Sequence, residues 1–273
     1  MKLEIICRLF GNLFEVIVAL GCAVQLYRFS DRKPKATPVI AILIIGFTAL
    51  ITGLQFVFPE VLTALRRNRE ALLSGEWWRM VTPLFVQAYG WWHACVNGVA
   101  AFVFCPLAER LYGKKLLALY FIPGVLGQVF GYLWSPNGAG SSLGIAGATG
   151  GLFAYTILHR QELSKLAQLF AICGIAGAVA LCLWRDIHGP PTVLGILLAS
   201  AMAVLWPSTA KRNAAVVEDR DRRPEIESRK WETCEERCSL SAAVADLIDS
   251  LRSFVHSSGF SSMLRIANPF HFR

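Results

Sequence analysis

Apolar runs with few or no charges alternate with short polar segments along most of the chain. Six of these runs follow residue 37, and most reach the roughly 18 residues that mark a membrane span. They cover residues 38–58, 91–111, 116–134, 147–159, 166–184 and 188–206. The pattern predicts an all-α polytopic membrane protein built on six spans, of which the fourth is short.

The polar segments divide the chain into three parts. Residues 1–36 hold one more apolar stretch, residues 9–27, which Glu15 interrupts. This stretch could form an extra span or an amphipathic helix in the membrane plane, and we favour the latter. Residues 37–207 form the predicted membrane core, and residues 208–273 form a polar C-terminal tail of mixed charge.

The composition agrees with this class of protein and excludes two others. Of the 273 residues, 55% are apolar and only 17% are charged, and the mean hydropathy is +0.48. A disordered chain or an ordinary soluble enzyme would carry more charge, since soluble domains have about 25% charged residues. We therefore expect an integral, multi-pass membrane protein in contact with the lipid bilayer.

The basic residues behind the net charge of +8 indicate how the protein is oriented in the membrane. The basic residues lie in short loops beside the apolar runs, where they orient a membrane protein. No nucleic-acid module is visible, so we expect no nucleic-acid partner. The loops after the second, fourth and sixth spans are basic, whereas the loop at residues 135–142 is uncharged. This alternation predicts a cytoplasmic tail and places residues 135–142 on the opposite side.

The eight cysteines do not predict a metal site. Five of them lie inside apolar runs: Cys22, Cys95, Cys105, Cys173 and Cys182. In such runs cysteine behaves as a small buried hydrophobe. Cys234 and Cys238 form a C-x3-C pair, but no second pair or histidine cluster accompanies them. We expect no metal ion and no cofactor.

Several polar side chains stand at the ends of predicted spans. His93 opens the second span, Asn97 lies one turn below it on the same face, and His188 opens the sixth span. Thr149 begins the fourth span. All these ends face the non-cytoplasmic side in the predicted orientation, so the side chains could meet at one depth. Ionisable groups at membrane depth indicate function, and a hydroxyl with histidine and amide groups is the inventory for acyl transfer.

Each of these residues also has an ordinary structural explanation. A histidine at a helix start can face lipid headgroups, small residues can serve close helix packing, and threonine can bond a backbone carbonyl one turn back. Residues 140–144 match the G-x-S-x-G pattern, but that motif requires a preceding strand, so we do not expect a soluble hydrolase. If Thr149 is not the reactive hydroxyl, Ser141 or Ser142 is the next candidate.

Together the motifs resemble the rhomboid family of intramembrane serine proteases over residues 37–207. The matching positions are Trp78 and Arg79 of the first loop, the H-x-x-x-N of His93 and Asn97, residues 147–150 in the place of G-x-S-G, Phe153 as the aromatic ring that packs on the histidine, and His188 with Gly195 on the sixth span. Any one motif is weak, but their order and spacing are specific.

The resemblance implies a rhomboid-like six-helix bundle around a short central fourth helix. A hydroxyl at the start of that helix, here Thr149, attacks a peptide bond near the transmembrane segment of a protein substrate. His188 acts as base and then as acid, with no third member, and His93 and Asn97 stabilise the oxyanion. Supporting roles fall to Phe153, Gly147, Gly150, Trp78 and Arg79.

Two positions depart from the family's pattern. Thr149 stands where the family has serine, and its extra methyl restricts χ1 and must fit a site built for a smaller group. Overpacking of this kind costs about 1–3 kcal/mol, so we expect weakened cleavage or none. Pro190 and Pro191 follow His188, where the family usually has small residues, although proline is tolerated in a first helical turn.

Two functions fit these residues. A slow intramembrane endopeptidase is favoured by the presence of His93, Asn97, Phe153 and His188. A pseudoprotease, which binds transmembrane segments without cutting them, is favoured by Thr149. A transporter would show internal repeats and acidic residues deep inside its core spans, whereas the sequence shows no repeat and its one acid in a core span, Glu109, stands at the end of the second span. The oligomeric state is left open.

Overall fold

The computed structural model describes residues 2–30 and 37–205, and this part of the chain is almost entirely helical. The α-helices are α1 Lys2–Ser30, α2 Val39–Val57, α3 Pro59–Leu65, α4 Arg69–Leu73, α5 Gly90–Tyr112, α6 Leu116–Trp134, α7 Ser142–Leu158, α8 Lys165–Leu183 and α9 Gly189–Leu205. Two short strands, β1 Arg67–Asn68 and β2 Asn137–Gly138, form an antiparallel pair. The predicted tail, residues 208–273, lies outside the described residues.

Four helical stretches are long and apolar enough to cross a membrane. They are Ile6–Ser30, Val39–Val57, Gly90–Trp134 and Lys165–Leu183, with mean hydropathies from 1.7 to 2.3. The third of these contains both α5 and α6. α7 and α9 are shorter apolar helices. The predicted all-α polytopic membrane fold is confirmed.

One predicted helix boundary is wrong. Five of the six core spans match α2, α5, α6, α8 and α9 to within one residue, but α7 begins at Ser142, five residues before the predicted start at 147. The prediction ended the uncharged loop at residue 142 and began the span at 147, because residues 135–142 are dense in turn-forming residues. In the structure Gly144, the one glycine of residues 142–146, lies inside the helix, where its small size allows the Tyr120 ring of α6 to approach.

α7 is the buried centre of the bundle and packs most closely against α9. A Cβ added at Gly195 of α9 would overlap the carbonyl oxygen of Gly147, and one added at Gly150 would overlap the carbonyl oxygen of Thr192. The two backbones therefore touch directly, which is the small-residue packing expected between membrane helices. Gly147 and Gly150 therefore lie where the backbones of α7 and α9 touch.

α1 belongs to the same packed bundle. It packs along α8 and also contacts α5 and α7. Its inner face carries the buried Val18, Cys22 and Leu26, and the buried Glu15 lies against Gly177 of α8. Because α1 has 29 residues, enough to cross a membrane, and packs lengthwise on another span, the structure favours the extra-span alternative over the in-plane helix.

The loop that leads into α7 is held in place from the first loop. Arg67 is only 2% exposed. Its Nε donates to the carbonyl oxygen of Ser135 at 2.8 Å, and its Nη1 donates to Oε1 of Gln128 at 2.7 Å. The backbone N–H of Gly140 donates to the carbonyl oxygen of Pro83 at 2.9 Å. These bonds and the β1–β2 pair fix where α7 starts.

Within the predicted first-loop motif, it is Arg79 that makes the buried hydrogen bonds. Arg79 is 6% exposed, and its Nε bonds Oε2 of Glu76 at 2.7 Å. Its Nη1 donates to the carbonyl oxygens of Thr63 at 2.9 Å and Arg66 at 2.7 Å. Trp78 is instead 52% exposed. Arg79 therefore ties the first loop together, whereas the Trp78 ring faces outward, as an aromatic residue at a membrane interface does.

Candidate active site

The centre of the candidate site is a contact between the starts of two helices. Ser142 is the first residue of α7, and His188 directly precedes α9. Nε2 of His188 lies 3.0 Å from Oγ of Ser142. A serine hydroxyl within hydrogen-bond reach of an imidazole is the arrangement of an activated nucleophile and its base.

A carboxylate completes the hydrogen bonding of His188. Oδ1 of Asp186 lies 2.7 Å from Nδ1 of His188 and accepts the His188 backbone N–H at 2.9 Å. Burial raises the pKa of the Asp186 carboxyl, but its hydrogen bonds and charge interaction with His188, together with a hydrogen bond from Asn12, lower it by more, to about 2. Asp186 is therefore ionised at neutral pH.

The ionised carboxylate of Asp186 determines which nitrogen of the neutral His188 imidazole carries the proton. Since Nδ1 of His188 faces a carboxylate, which can only accept hydrogen bonds, the ring proton is on Nδ1. Nε2 is then an acceptor, and the Ser142 hydroxyl donates to it. This is the tautomer in which an imidazole can remove a proton from serine.

His93 and Asn97, both predicted from the sequence, lie on the first turns of α5 and contact each other. Nδ2 of Asn97 lies 3.1 Å from Nε2 of His93 and donates to Oε1 of Gln87 at 2.7 Å. Asn97 thus shares its amide hydrogens between these partners. Since Nε2 of His93 accepts one of them, its ring proton is on Nδ1, which is buried without a hydrogen-bond partner among the described residues.

Two glutamines extend this network to α2. The backbone N–H of Gln87 donates to Oε1 of Gln55 at 2.8 Å, and Nε2 of Gln55 donates to the carbonyl oxygen of Gln87 at 2.9 Å. Nε2 of Gln87 also reaches Oγ of Ser141 at 3.3 Å. Both glutamines are buried. The network therefore fixes the orientation of Asn97, and through it that of His93.

Gly140 brings His93 and Ser142 to the same place. A Cβ built on Gly140 would lie 2.7 Å from Cε1 of His93 and 3.3 Å from Oγ of Ser142. Both side chains therefore occupy the space beside this glycine. His93, Ser142 and His188 therefore lie near one another at the starts of α5, α7 and α9.

Thr149 lies elsewhere. It is seven residues beyond Ser142 on α7, which is about 10 Å along the helix axis. It is 5% exposed, and no hydrogen bond of the described residues joins it to His188. The prediction that Thr149 stands at the start of the helix depended on the wrong boundary at residue 147, and the structure gives that place to Ser142.

Phe153 also has a different neighbour from the one predicted. It is fully buried and packs against Gly174 of α8. It lies eleven residues along α7 from Ser142, about 16 Å away, so it does not pack on His188. One turn after Ser142 stands Ala146, and no aromatic side chain takes that position.

A cavity of about 270 Å³ adjoins these residues. Its lining includes Ser142, His188, His93 and Asn97, and Thr149 from deeper in α7. α1 contributes part of the wall through Asn12, Glu15 and Val16. Apolar side chains supply most of the rest, as expected for a pocket that holds an apolar chain with a few polar groups at one end.

Sequence reasoning missed three polar residues of this site, Asp186, Gln87 and Asn12, and named Ser142 only as an alternative to Thr149. The signal for Ser142 was present in the G-x-S of residues 140–142, which was set aside as a loop pattern. The signal for Asp186 was its place two residues before a span-end histidine. Gln87 and Asn12 gave no sequence signal, because only the packing of α2, α5 and α1 brings them to the site.

Comparison with known proteins gives a consistent result. Residues 74–209 match the family model of the Rhomboid domain. A putative rhomboid protease, YdcA of Bacillus subtilis (strain 168), is 36% identical over 94 residues, which are 33% of this chain and 46% of that protein. Rhomboid protease GluP of the same organism is 31% identical over 137 residues, 49% of this chain and 27% of that protein.

A third relative comes from another bacterium. Rhomboid protease AarA of Providencia stuartii is 40% identical over 63 residues, which are 23% of this chain and 22% of that protein. The chain thus spans less than half the length of each of these curated relatives.

Proposed function

We propose that this chain, which belongs to the rhomboid family, is an intramembrane serine endopeptidase with Ser142 as nucleophile and His188 as base. The observation that carries the proposal is the 3.0 Å contact between Oγ of Ser142 and Nε2 of His188. The relatives named rhomboid proteases support the class of reaction. With serine in this role, Thr149 no longer favours the pseudoprotease.

The first half of the reaction forms an ester. Oγ of Ser142 bonds to the carbonyl carbon of the substrate peptide while its proton passes to Nε2 of His188. The tetrahedral intermediate collapses by breaking the C–N bond, and His188 returns the proton to the leaving amine. In the second half, His188 takes a proton from water while the water oxygen bonds to the ester carbon. The bond between that carbon and Oγ of Ser142 then breaks, the carboxylic acid product leaves, and His188 returns the proton to Oγ.

The oxyanion of the intermediate forms beside the start of α7. The backbone N–H groups of the first helical turn have no partner inside the helix, so the N–H of Ser142 is one donor. His93 is the second donor, through the buried Nδ1 that has no hydrogen-bond partner within the described chain. Asn97 hydrogen-bonds the ring of His93 and holds it in place. Because its amide hydrogens are shared between His93 and Gln87, the amide can turn toward the negative charge that develops on the oxyanion.

The substrate class follows from where the cavity lies. The cavity is largely apolar and opens among spans that the lipid surrounds, with the nucleophile at one end. A transmembrane segment unwound near its end offers an apolar stretch and an accessible peptide bond. We propose that transmembrane proteins are the substrates, and that no cofactor or metal is used.

The test is cleavage of a single-span model substrate in liposomes. Wild type is expected to cleave it, and Ser142→Ala and His188→Ala are each expected to lower the rate by at least about 10³-fold, as in other serine proteases. Thr149→Ser is expected to change the rate little, since it keeps both the cavity wall and a hydroxyl. Thr149→Ala is the matched control for Ser142→Ala and is expected to keep most of the activity.

Two results would contradict the proposal. If wild type binds the substrate without cutting it under conditions in which a related protease cuts, the pseudoprotease is the better account. If Thr149→Ala abolishes cleavage while Ser142→Ala does not, the nucleophile is Thr149.

A further inference from the structure

We infer that Asp186 and Asn12 are positioning residues of this site, so that the N-terminal helix α1 takes part in the reaction. The inference rests on the proposed function. It adds a third and a fourth member to the dyad that the family resemblance implies, and the fourth comes from a helix outside the predicted six-span core.

Four side chains form one continuous chain of hydrogen bonds. Nδ2 of Asn12 donates to Oδ2 of Asp186 at 2.9 Å, and Oδ1 of Asp186 lies 2.7 Å from Nδ1 of His188. Nε2 of His188 lies 3.0 Å from Oγ of Ser142. The side chain of Asp186 is 11% exposed. A largely buried carboxylate keeps its charge when both of its oxygens are hydrogen-bonded, as they are here.

The backbone around Asp186 is shaped for this contact. Arg185 has a φ of 55°, and it is the one residue other than glycine with a positive φ in the described part of the chain. Such a conformation is strained for a residue with a side chain and persists where the surroundings require it. It follows Trp184 and turns the chain so that the Asp186 carboxylate faces His188.

α1 holds this turn at a second point. Nε of Arg8 donates to the carbonyl oxygen of Trp184 at 2.8 Å. A Cβ on Gly11 would lie 2.8 Å from a ring carbon of Trp184, so glycine lets the ring pack against the helix. α1 therefore holds the turn at Trp184 as well as at Asp186, and so holds the carboxylate in place.

A carboxylate in this position has two effects on serine proteolysis. It holds the imidazole in the tautomer that accepts the serine proton, and it stabilises the imidazolium that forms in the transition state. The Asn12 amide fixes the second oxygen, so the carboxylate cannot rotate away from the ring. Other titratable groups around His188 line the same cavity, His93 from α5 and Glu15 from α1, and Arg8 lies at the neighbouring turn.

The experiment measures kcat, KM and the pH profile of cleavage in liposomes. Asp186→Asn is expected to lower kcat by about 10²–10⁴-fold at neutral pH with little change in KM, since an amide favours the wrong tautomer. Its acid limb is expected to move to lower pH, because the imidazolium loses its charged partner. Asp186→Glu keeps a carboxylate and is expected to recover part of the lost rate.

Asn12→Ala removes one hydrogen bond to a charged group and is expected to lower kcat by about 3–100-fold, again with KM little changed. Two matched controls are expected to keep wild-type kcat. Glu162→Gln changes an exposed carboxylate in the loop between α7 and α8. Gln25→Ala removes a different side-chain hydrogen bond of α1, which Oε1 of Gln25 accepts from Oγ of Ser164 just before α8, at 3.1 Å.

The outcomes separate this inference from the proposed function. If wild type cleaves, Ser142→Ala does not, and Asp186→Asn keeps the wild-type kcat and pH profile, only the inference is overturned. If Asn12→Ala and Gln25→Ala lower kcat equally, α1 has a structural role alone and the inference is also overturned. If wild type fails to cleave, both fall. Should Asp186→Asn not fold, Asp186→Glu and Asn12→Ala decide in the same way.

Discussion

At the scale of single residues, Gly140 decides how close the two sides of the site can come. His93 lies on α5 and Ser142 on α7. A side chain at position 140 would occupy the space beside both of them. The backbone N–H of Gly140 is bonded to Pro83, so the loop cannot readily move back. A side chain at this position would therefore displace the imidazole of His93.

We predict that Gly140→Ala lowers cleavage by about 10²–10³-fold, the usual effect of losing one oxyanion donor. The added Cβ would lie 2.7 Å from Cε1 of His93, which is closer than real contacts allow. Cleavage rate and thermal unfolding are measured together. Gly98→Ala on α5 is the control, since nothing lies within 4 Å of its new methyl. If Gly140→Ala cleaves at the wild-type rate, the position of the His93 ring beside Gly140 is not needed for cleavage.

The sequence predicts those site residues that stand at the ends of apolar runs. His93 and His188 stand at the starts of two spans, and the predicted starts of these spans agree with the helix starts to within one residue. Ser142 could not be located in this way, because its glycine-rich surroundings hide the start of α7. Asp186 and Asn12 could not be paired at all, since they lie 174 positions apart and meet only through the packing of α1.

At the scale of helices, the contact between α7 and α9 sets the distance between nucleophile and base. Gly147, Gly150 and Gly195 let these two backbones touch. Ser142 and His188 stand at the adjoining starts of the same two helices. Any change that pushes the helices apart therefore separates Oγ of Ser142 from Nε2 of His188.

We predict that Gly195→Ala destabilises the protein by about 1–3 kcal/mol, the usual cost of overpacking, and also lowers cleavage. The new methyl would overlap the backbone oxygen of Gly147, which cannot move aside as a flexible side chain can. Thermal unfolding in detergent measures the effect. Gly53→Ala on α2 meets nothing within 4 Å and should leave the midpoint unchanged or slightly higher. Equal midpoints for both variants would disprove close α7–α9 packing.

At the scale of the whole molecule, the site lies at one end of the bundle. Successive spans alternate in direction, so the starts of α5, α7 and α9 share one side, and the N-terminal part of α1 meets them there. The basic loops after α5 and α7 stand at the opposite end, which the positive-inside rule assigns to the cytoplasm, although the first loop carries Arg66, Arg67, Arg69 and Arg79 at the site end. We therefore expect the site to open to the non-cytoplasmic side and the C-terminal tail to be cytoplasmic.

Accessibility of an introduced cysteine measures this orientation. Ser141 is unsuitable because it is buried, whereas Asn137 in the same loop and Glu162 between α7 and α8 are exposed. A membrane-impermeant maleimide added outside intact cells should label Asn137→Cys above the wild-type background and should not label Glu162→Cys until the membrane is opened. The reverse pattern would invert the orientation.

The role of Ser142 as nucleophile is tested most directly by the site of covalent modification by a serine-reactive fluorophosphonate. The protein in liposomes is treated with the probe and digested, and the modified residue is located by mass spectrometry. We predict modification of Ser142, its loss in His188→Ala, and its persistence in Thr149→Ala. Modification at Thr149 or Ser141 instead, or no modification of wild type at any of these residues, would contradict the account.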